Sequence, residues 1–186
     1  MTLEINNLHS WQICKVKDLD QADRYLHKPA DILNLHRCNW YLGFGTALGL
    51  WRDGDLIPTD QDVDFCILVD SLDQPNRLIT SFSEKWKLIR TVLYKACYMQ
   101  AAFQAPDNFI IDLAFFYPEK DYYFTEHEGG AFIDKADVLG NLDLKITKYG
   151  FFPTPDKMDE YLTARYGDWR TPRPGALSCS RKDKRQ

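Results

Sequence analysis

Alternating apolar and polar residues mark out short strands along this chain, and helical spacing marks out helices between them. Lys87–Tyr94 places Leu88, Val92 and Tyr94 on one face, and Cys97–Gln104 is a second strand candidate. Pro106-Asp107-Asn108 is a turn signal, so residues 109–116 complete a predicted hairpin over 97–116. Tyr122–His127 and residues 131–134, split by Gly129-Gly130, predict a shorter hairpin. Leu78, Ile79, Phe82 and Trp86 recur at helical spacing behind Asp73-Gln74-Pro75, a cap followed by a proline suited to a first turn. Periodic apolar residues of this kind are packing surface by default.

The ends of the chain are less sharply patterned. Trp11, Ile13 and Lys15 alternate within a weakly patterned stretch, and residues 18–26 predict a helical turn or two. Pro29 suits a helix start, and residues 30–37 carry Ile32, Leu33 and Leu35. Residues 137–148 are polar and amphipathic with no clear chemistry. A last helix is expected from Thr154 as cap and Pro155 in the first turn, with Asp156, Asp159 and Glu160 near its N-terminus. Met158, Tyr161 and Leu162 would face inward and Gly167 would close it. Beyond Arg170 the chain turns proline-rich and then charged, which reads as a disordered tail over 175–186. Without internal repeats or linkers, the expected organisation is an extension over 1–29 and one domain over 30–174.

The chemistry concentrates between Trp40 and Val69. A strand over 40–42 leads into a glycine turn with Gly43 and Gly45, then a short helix over 46–52, then a loop with Asp53, Asp55, Pro58 and Asp60. An apolar strand follows, opening Asp62-Val63-Asp64, and its alternation points both aspartates the same way. Two carboxylates one pleat apart beside a glycine turn fit a divalent metal holding phosphates. On its own, D-x-D is more often solvated than metal-bound. The glycines also imitate a dinucleotide fingerprint, but their spacing is wrong and three acids arrive where that site wants one. Asp112 interrupts the apolar run 109–116, and a buried carboxylate needs a positive partner. A metal shared with Asp62 and Asp64 would serve; an arginine partner or an exposed edge strand are the alternatives.

Composition narrows the class. With 186 residues, 45% hydrophobic and 27% charged, the chain is long enough for one globular domain with a real core. A net charge of −4 offers no broad basic field, so nucleic acid is not an expected partner. Five scattered cysteines never form C-x-x-C, which argues against a zinc site or a disulfide framework and for a reducing compartment. No long apolar run or signal-peptide core is present, so the expected location is cytoplasmic with no transmembrane segment.

Gly43-Phe-Gly45-Thr46-Ala-Leu-Gly49, then Arg52, then Ile57-Pro58-Thr59-Asp60-Gln61-Asp62-Val-Asp64 resembles the signature of the LicD/fukutin-related family. The likeness continues at Ile111-Asp112-Leu113 and returns in the closing block: Pro153, Pro155, Tyr161-Leu162, Tyr166-Gly167-Asp168-Trp169 and Pro172. Two blocks in the right order are far more specific than either alone. Thr59 departs from the family's usual tryptophan and Gln61 from a frequent acid, but neither touches the three candidate ligands.

The resemblance implies an α/β (α+β) nucleotidyltransferase fold, a mixed sheet flanked by helices. It implies a transferase that moves a phospho-alcohol, phosphocholine or ribitol phosphate for example, from a CDP-activated donor to a hydroxyl of a glycan or small acceptor, releasing CMP. Asp62, Asp64 and Asp112 would hold Mg²⁺ or Mn²⁺ and form the catalytic set, with Asp112 also a candidate base. Gly43, Gly45, Thr46, Arg52 and Asp60 would line the donor phosphates: backbone amides at Gly45 and Thr46, the Arg52 fork as a clamp, and Asp60 positioning the loop or a water. Arg52 has an alternative role as a surface partner of Asp53 or Asp55. The Tyr166–Trp169 block reads as a helix end packed on the sheet. Two other functions stay open: transfer of NMP from an NTP by the same metal site, and a non-catalytic nucleotide-binding module.

Overall fold

The computed structural model describes residues 3–7, 19–127, 130–139 and 141–172. Its elements, in order, are β1 (Glu4–Asn7), α1 (Leu19–Leu35), β2 (Asn39–Leu42), α2 (Phe44–Arg52), β3 (Asp62–Leu68) and α3 (Gln74–Ser83). Then come β4 (Lys87–Tyr94), β5 (Cys97–Gln104), β6 (Ile110–Glu119), β7 (Tyr122–His127), β8 (Gly130–Lys135), α4 (Ala136–Leu139), β9 (Leu142–Thr147), β10 (Gly150–Pro155) and α5 (Met158–Tyr166). The main sheet runs β1-β4-β5-β6-β3-β2, and β7 extends it from the far end of β6 and carries β8. Among the described strands, β3 and β6 pair in parallel and the other neighbours are antiparallel. This is the mixed α/β architecture expected from the sequence.

Strand alternation divides the core into two layers. Val63, Phe65 and Ile67 of β3 pack with Leu78, Phe82, Phe103 and Ile111, on the side of α1 and α3. Cys66 and Leu68 pack with Ala114, Phe116, Met158, Tyr161 and Leu162, on the side of α2 and α5. Asp62 and Asp64 belong to this second face by the period of two.

Three local expectations are corrected. Pro29 does not start a helix; α1 runs through it from Leu19 to Leu35. The ring removes the amide that would bond the Tyr25 carbonyl, yet Leu26, Ala30 and Leu33 form one buried stripe on both sides of it. Burial of that stripe outweighs the lost bond. Leu35, at the end of this helix, is 82% exposed. Thr154 and Pro155 do not start the last helix, because they pair with Asp143 and Leu142 in the β9–β10 ribbon. The helix begins at Met158 instead, with Met158, Tyr161 and Leu162 buried and Gly167 closing it at φ 68° as expected. Asp73 makes no side-chain cap on α3 and pairs with Arg77 at 3.1 Å, while Trp86 lies past the helix end, still buried. The weak alternation at Trp11, Ile13 and Lys15 and the tail over 175–186 lie outside the described residues.

Candidate active site

The parallel pairing of β3 and β6 sets Asp64 directly beside Asp112, with Asp62 one pleat earlier beside Ile110. One ligand oxygen from each of the three carboxylates lies within 4.8 Å of the others. Residues far apart in the chain thus meet at one end of the sheet, through strand register alone. The loop between α2 and β3 adds Asp60 to the rim of a small cleft shared with Thr46, Leu56, Ile57, Asp62 and Phe109.

Mutual repulsion adds to burial in the electrostatics. Burial first, then the charges of Asp112 and Asp60, push the Asp62 carboxyl up to about 7, against a lowering pull from Arg90. Burial and the same crowding by Asp62, Asp112 and Asp60 raise Asp64 well above the usual carboxylate range, and burial raises Asp60. A cluster of hard carboxylate oxygens that resist ionising together is a donor set suited to a divalent cation.

The glycine turn is shaped around these acids. The Gly43 amide donates to the Asp64 carbonyl at 3.1 Å. A Cβ at Gly43 would sit 2.2 Å from the Cys66 Sγ, and one at Gly45 would sit 2.6 Å from the Asp60 Oδ2. At Gly43 glycine is therefore required by close approach rather than by backbone angle, whereas at Gly45 the Asp60 side chain can give way. Thr46 is buried, and its hydroxyl accepts the Asp64 amide at 2.8 Å. The Thr46 amide and hydroxyl both reach the Asp64 Oδ2 at 3.4 Å. The first turn of α2 thus steadies Asp64 from above.

Arg52 forks onto Asp53, with Nε to Oδ1 at 2.8 Å and a terminal nitrogen to Oδ2 at 2.7 Å. That is the surface pairing the sequence left open as its alternative role. Asp112 meets Arg90 of β4, whose terminal nitrogen lies 3.2 and 3.3 Å from the two carboxylate oxygens. The arginine partner weighed for Asp112 is therefore real, and it coexists with the acid cluster.

Several contributors gave no local signal. Arg90 follows an irregularity of the β4 ladder between Leu88 and Arg90, and its link to Asp112 depends on the register of three strands. The Tyr161 hydroxyl accepts the Phe44 amide at 3.2 Å, bracing the start of α2, where Phe44 has φ 44°. Arg165 is buried against the Phe44 and Tyr161 rings at 4.4 and 4.6 Å. Burial works against its charge, but its pairing with buried Asp134 keeps it protonated. The β9–β10 turn grips the loop before β3: Tyr149 donates to Asp55 at 2.6 Å and Lys148 pairs with the same carboxylate. Although burial acts the other way, those hydrogen bonds hold Asp55 below the usual carboxylate range. Gly167 and buried Trp169 form the helix end read from the closing block.

A mixed sheet with three clustered acids and a glycine turn against them defines a nucleotidyltransferase-type domain. The family described as LicD/FKTN/FKRP, nucleotidyltransferase domain, matches residues 37–139, more than half of the chain, and the chain belongs to that family. This places it among transferase enzymes. Two curated relatives, both named ribitol-5-phosphate transferase FKTN, from Macaca fascicularis and Homo sapiens, are each 27% identical over 159 residues. The match covers 81% of this chain and 33% of each relative, so the chain spans about a third of their length. Among solved structures, the lincomycin-bound lincosamide antibiotic adenylyltransferase LnuA superposes with a TM-score of 0.54 at 14% identity, over 78% of this chain and 87% of that one. That likeness concerns the fold. Among the described residues no helix is long and apolar enough to cross a membrane.

Proposed function

We propose that this chain transfers a phospho-alcohol, ribitol phosphate foremost, from a CDP-activated donor to a hydroxyl of a glycan or small acceptor, releasing CMP. The observation that carries the reading is the convergence of Asp62, Asp64 and Asp112 within 4.8 Å in a member of this family. The curated relatives are named for ribitol-5-phosphate transfer, and phosphocholine is the other phospho-alcohol that the family resemblance implies.

Asp62, Asp64 and Asp112 are the residues that would hold Mg²⁺, or Mn²⁺ in its place. Bound there, the ion supplies positive charge to the donor diphosphate and to the departing CMP oxygen. The chain's own part is placement. Thr46 holds Asp64 from the first turn of α2, and that helix start, at Gly43, Gly45 and Thr46, would offer the positive end of its dipole to donor phosphates. Arg52 stands on the last turn of α2 and would exchange Asp53 for a phosphate oxygen. The Asp60 carboxylate lies against Gly45 and would position the loop or a water there.

The test is product analysis. The protein with Mg²⁺ is incubated separately with CDP-ribitol, CDP-choline and the four NTPs, each with candidate acceptors. Release of CMP from a CDP-alcohol supports the proposal. Pyrophosphate from an NTP, with no CMP from either CDP-alcohol, replaces it with nucleotidyl transfer. Nucleotide binding without turnover replaces it with a binding module.

A further inference from the structure

An open cavity of about 380 Å³ lies at the other end of the sheet from the acids. Val69, which follows the last residue of β3, and Tyr117, near the end of β6, stand on its wall. Asp62 opens β3 seven positions before Val69, about 23 Å away along a strand. The faces differ as well. Val69, Met99 and Tyr117 belong to the core layer of α1 and α3, whereas Asp62 and Asp64 belong to the other layer. The cavity is therefore a separate feature, and its volume falls in the range of pockets that hold small ligands.

Its walls are aromatic and held in place. The Tyr94 and Phe124 rings meet edge to face with centroids 6.5 Å apart, and Tyr117 leans on Phe124 at 6.1 Å. The Tyr117 hydroxyl donates to the Tyr98 carbonyl at 2.9 Å, which fixes that ring. Lys95 and Ala96, at φ 53° and 62°, form the two-residue turn between β4 and β5 and hold Tyr94 opposite Cys97. Charge is confined to the rim, where Asp70, Lys95 and Glu119 are all exposed. That pattern selects a neutral ligand. An anion would face the two carboxylates. A cation would face Lys95, whose ammonium already stands over the Tyr94 ring at 5.1 Å. A sugar ring is neutral, and it offers a C–H face to the aromatic wall and hydroxyls to the two carboxylates.

We infer that this cavity binds a sugar residue, its C–H face against Tyr94 and Phe124 and its hydroxyls donating to Asp70 and Glu119. The site goes beyond the proposed transfer, and sugar binding there does not depend on what the acids catalyse. Its use rests on that reading: a glycan acceptor held here by one residue presents its other residues at raised effective concentration, without taking any contact from the reacting end.

The experiment follows isotope-labelled methionine methyls by NMR. Met99 lines the cavity, and Met158 is buried in the other core layer. Met99→Leu and Met158→Leu assign the two signals. The probes are the methyl glycosides of glucose, galactose, mannose and N-acetylglucosamine, with ribitol, phenol and tetramethylammonium for comparison. At least one glycoside should shift Met99 saturably and leave Met158 in place. Asp70→Asn combined with Glu119→Gln, both on the surface, should weaken that binding by about tenfold, the loss of hydrogen bonds to charged groups. Tyr94→Ala should remove it; if melting shows that variant unfolded, the surface double variant decides alone. No Met99 shift with any glycoside overturns the inference. So does a response to phenol or tetramethylammonium alone, an equal response to ribitol, which has hydroxyls but no ring, or unchanged affinity in the double variant. Asp62→Asn keeps the two claims apart: the Met99 response should persist in it, and its loss in the folded variant would put the sugar at the acids and overturn the inference. If no CDP-alcohol is turned over while Met99 still responds, the transfer reading fails and the sugar site stands.

Discussion

Asp64 and Asp112 face each other across the parallel β3–β6 pair, so a single register places both carboxylates at one mouth of the sheet. Removing either should show in turnover before it shows in folding. Asp64→Asn or Asp112→Asn is expected to lower transfer by about a thousandfold, since charge stabilisation by a bound ion is worth several kcal/mol and each ~1.4 kcal/mol is tenfold. Asp64→Asn should at the same time melt higher than wild type in metal-free buffer near pH 8, because a carboxyl raised by burial and crowding must take up a proton or bury a charge on folding, and asparagine does neither. Steady-state rates and melting curves on the same preparations check both halves.

Acidity and metal compete for the same oxygens. Asp62 is held up to about 7 by burial and by Asp112 and Asp60, with Arg90 opposing; the unfolded carboxyl titrates near 3.8. Between those values the folded chain carries the extra proton, so metal-free stability falls as pH rises from about 4 to 7. Mg²⁺ should therefore raise the melting temperature more at pH 8 than at pH 5. A pH series of melts with and without Mg²⁺ measures it, and equal increments at both values contradict the site.

The two turn glycines fail differently. Gly45→Ala meets only the end of the Asp60 side chain, which can swing away, so the fold should survive while activity drops with the displaced loop acid. Gly43→Ala meets the Sγ of fully buried Cys66 and should destabilise the chain by about 1–3 kcal/mol as an overpacked core does. Adding Cys66→Ala to Gly43→Ala should recover part of that loss. Denaturant titration of the single and double variants decides.

Asp134 and Arg165 form a buried pair whose cation lies among aromatic rings. Asp134→Ala leaves the guanidinium without its counter-charge and should cost about 3–5 kcal/mol. Replacing Arg165 by Met in that variant should restore much of the stability, because the aromatic surroundings accept an apolar chain. Chemical denaturation of the three proteins tests this.

The strands over 87–94, 97–104 and 122–127 were readable from local pattern and have the expected bounds, although register shifts interrupt the alternation of β4. The three acids were readable too, because a carboxylate inside an apolar run asks for an explanation. Pro29 and Thr154 misled for a common reason. Each carries a genuine local signal for a helix start, and each is overruled by a non-local contact, the buried stripe of α1 in one case and pairing with β9 in the other. Arg90 was invisible because nothing near it in the chain names its partner; only the stacking of β4, β5 and β6 does.

The grip of Tyr149 and Lys148 on Asp55 bears on how the enzyme matures. Synthesis proceeds from the N-terminus, so all three acids emerge from the ribosome before the ribbon that clamps the neighbouring loop. The loop before β3 therefore gains its anchor only when residues 148 and 149 have been made, and the β9–β10 ribbon acts as a late fastener for a segment that precedes it by some ninety positions.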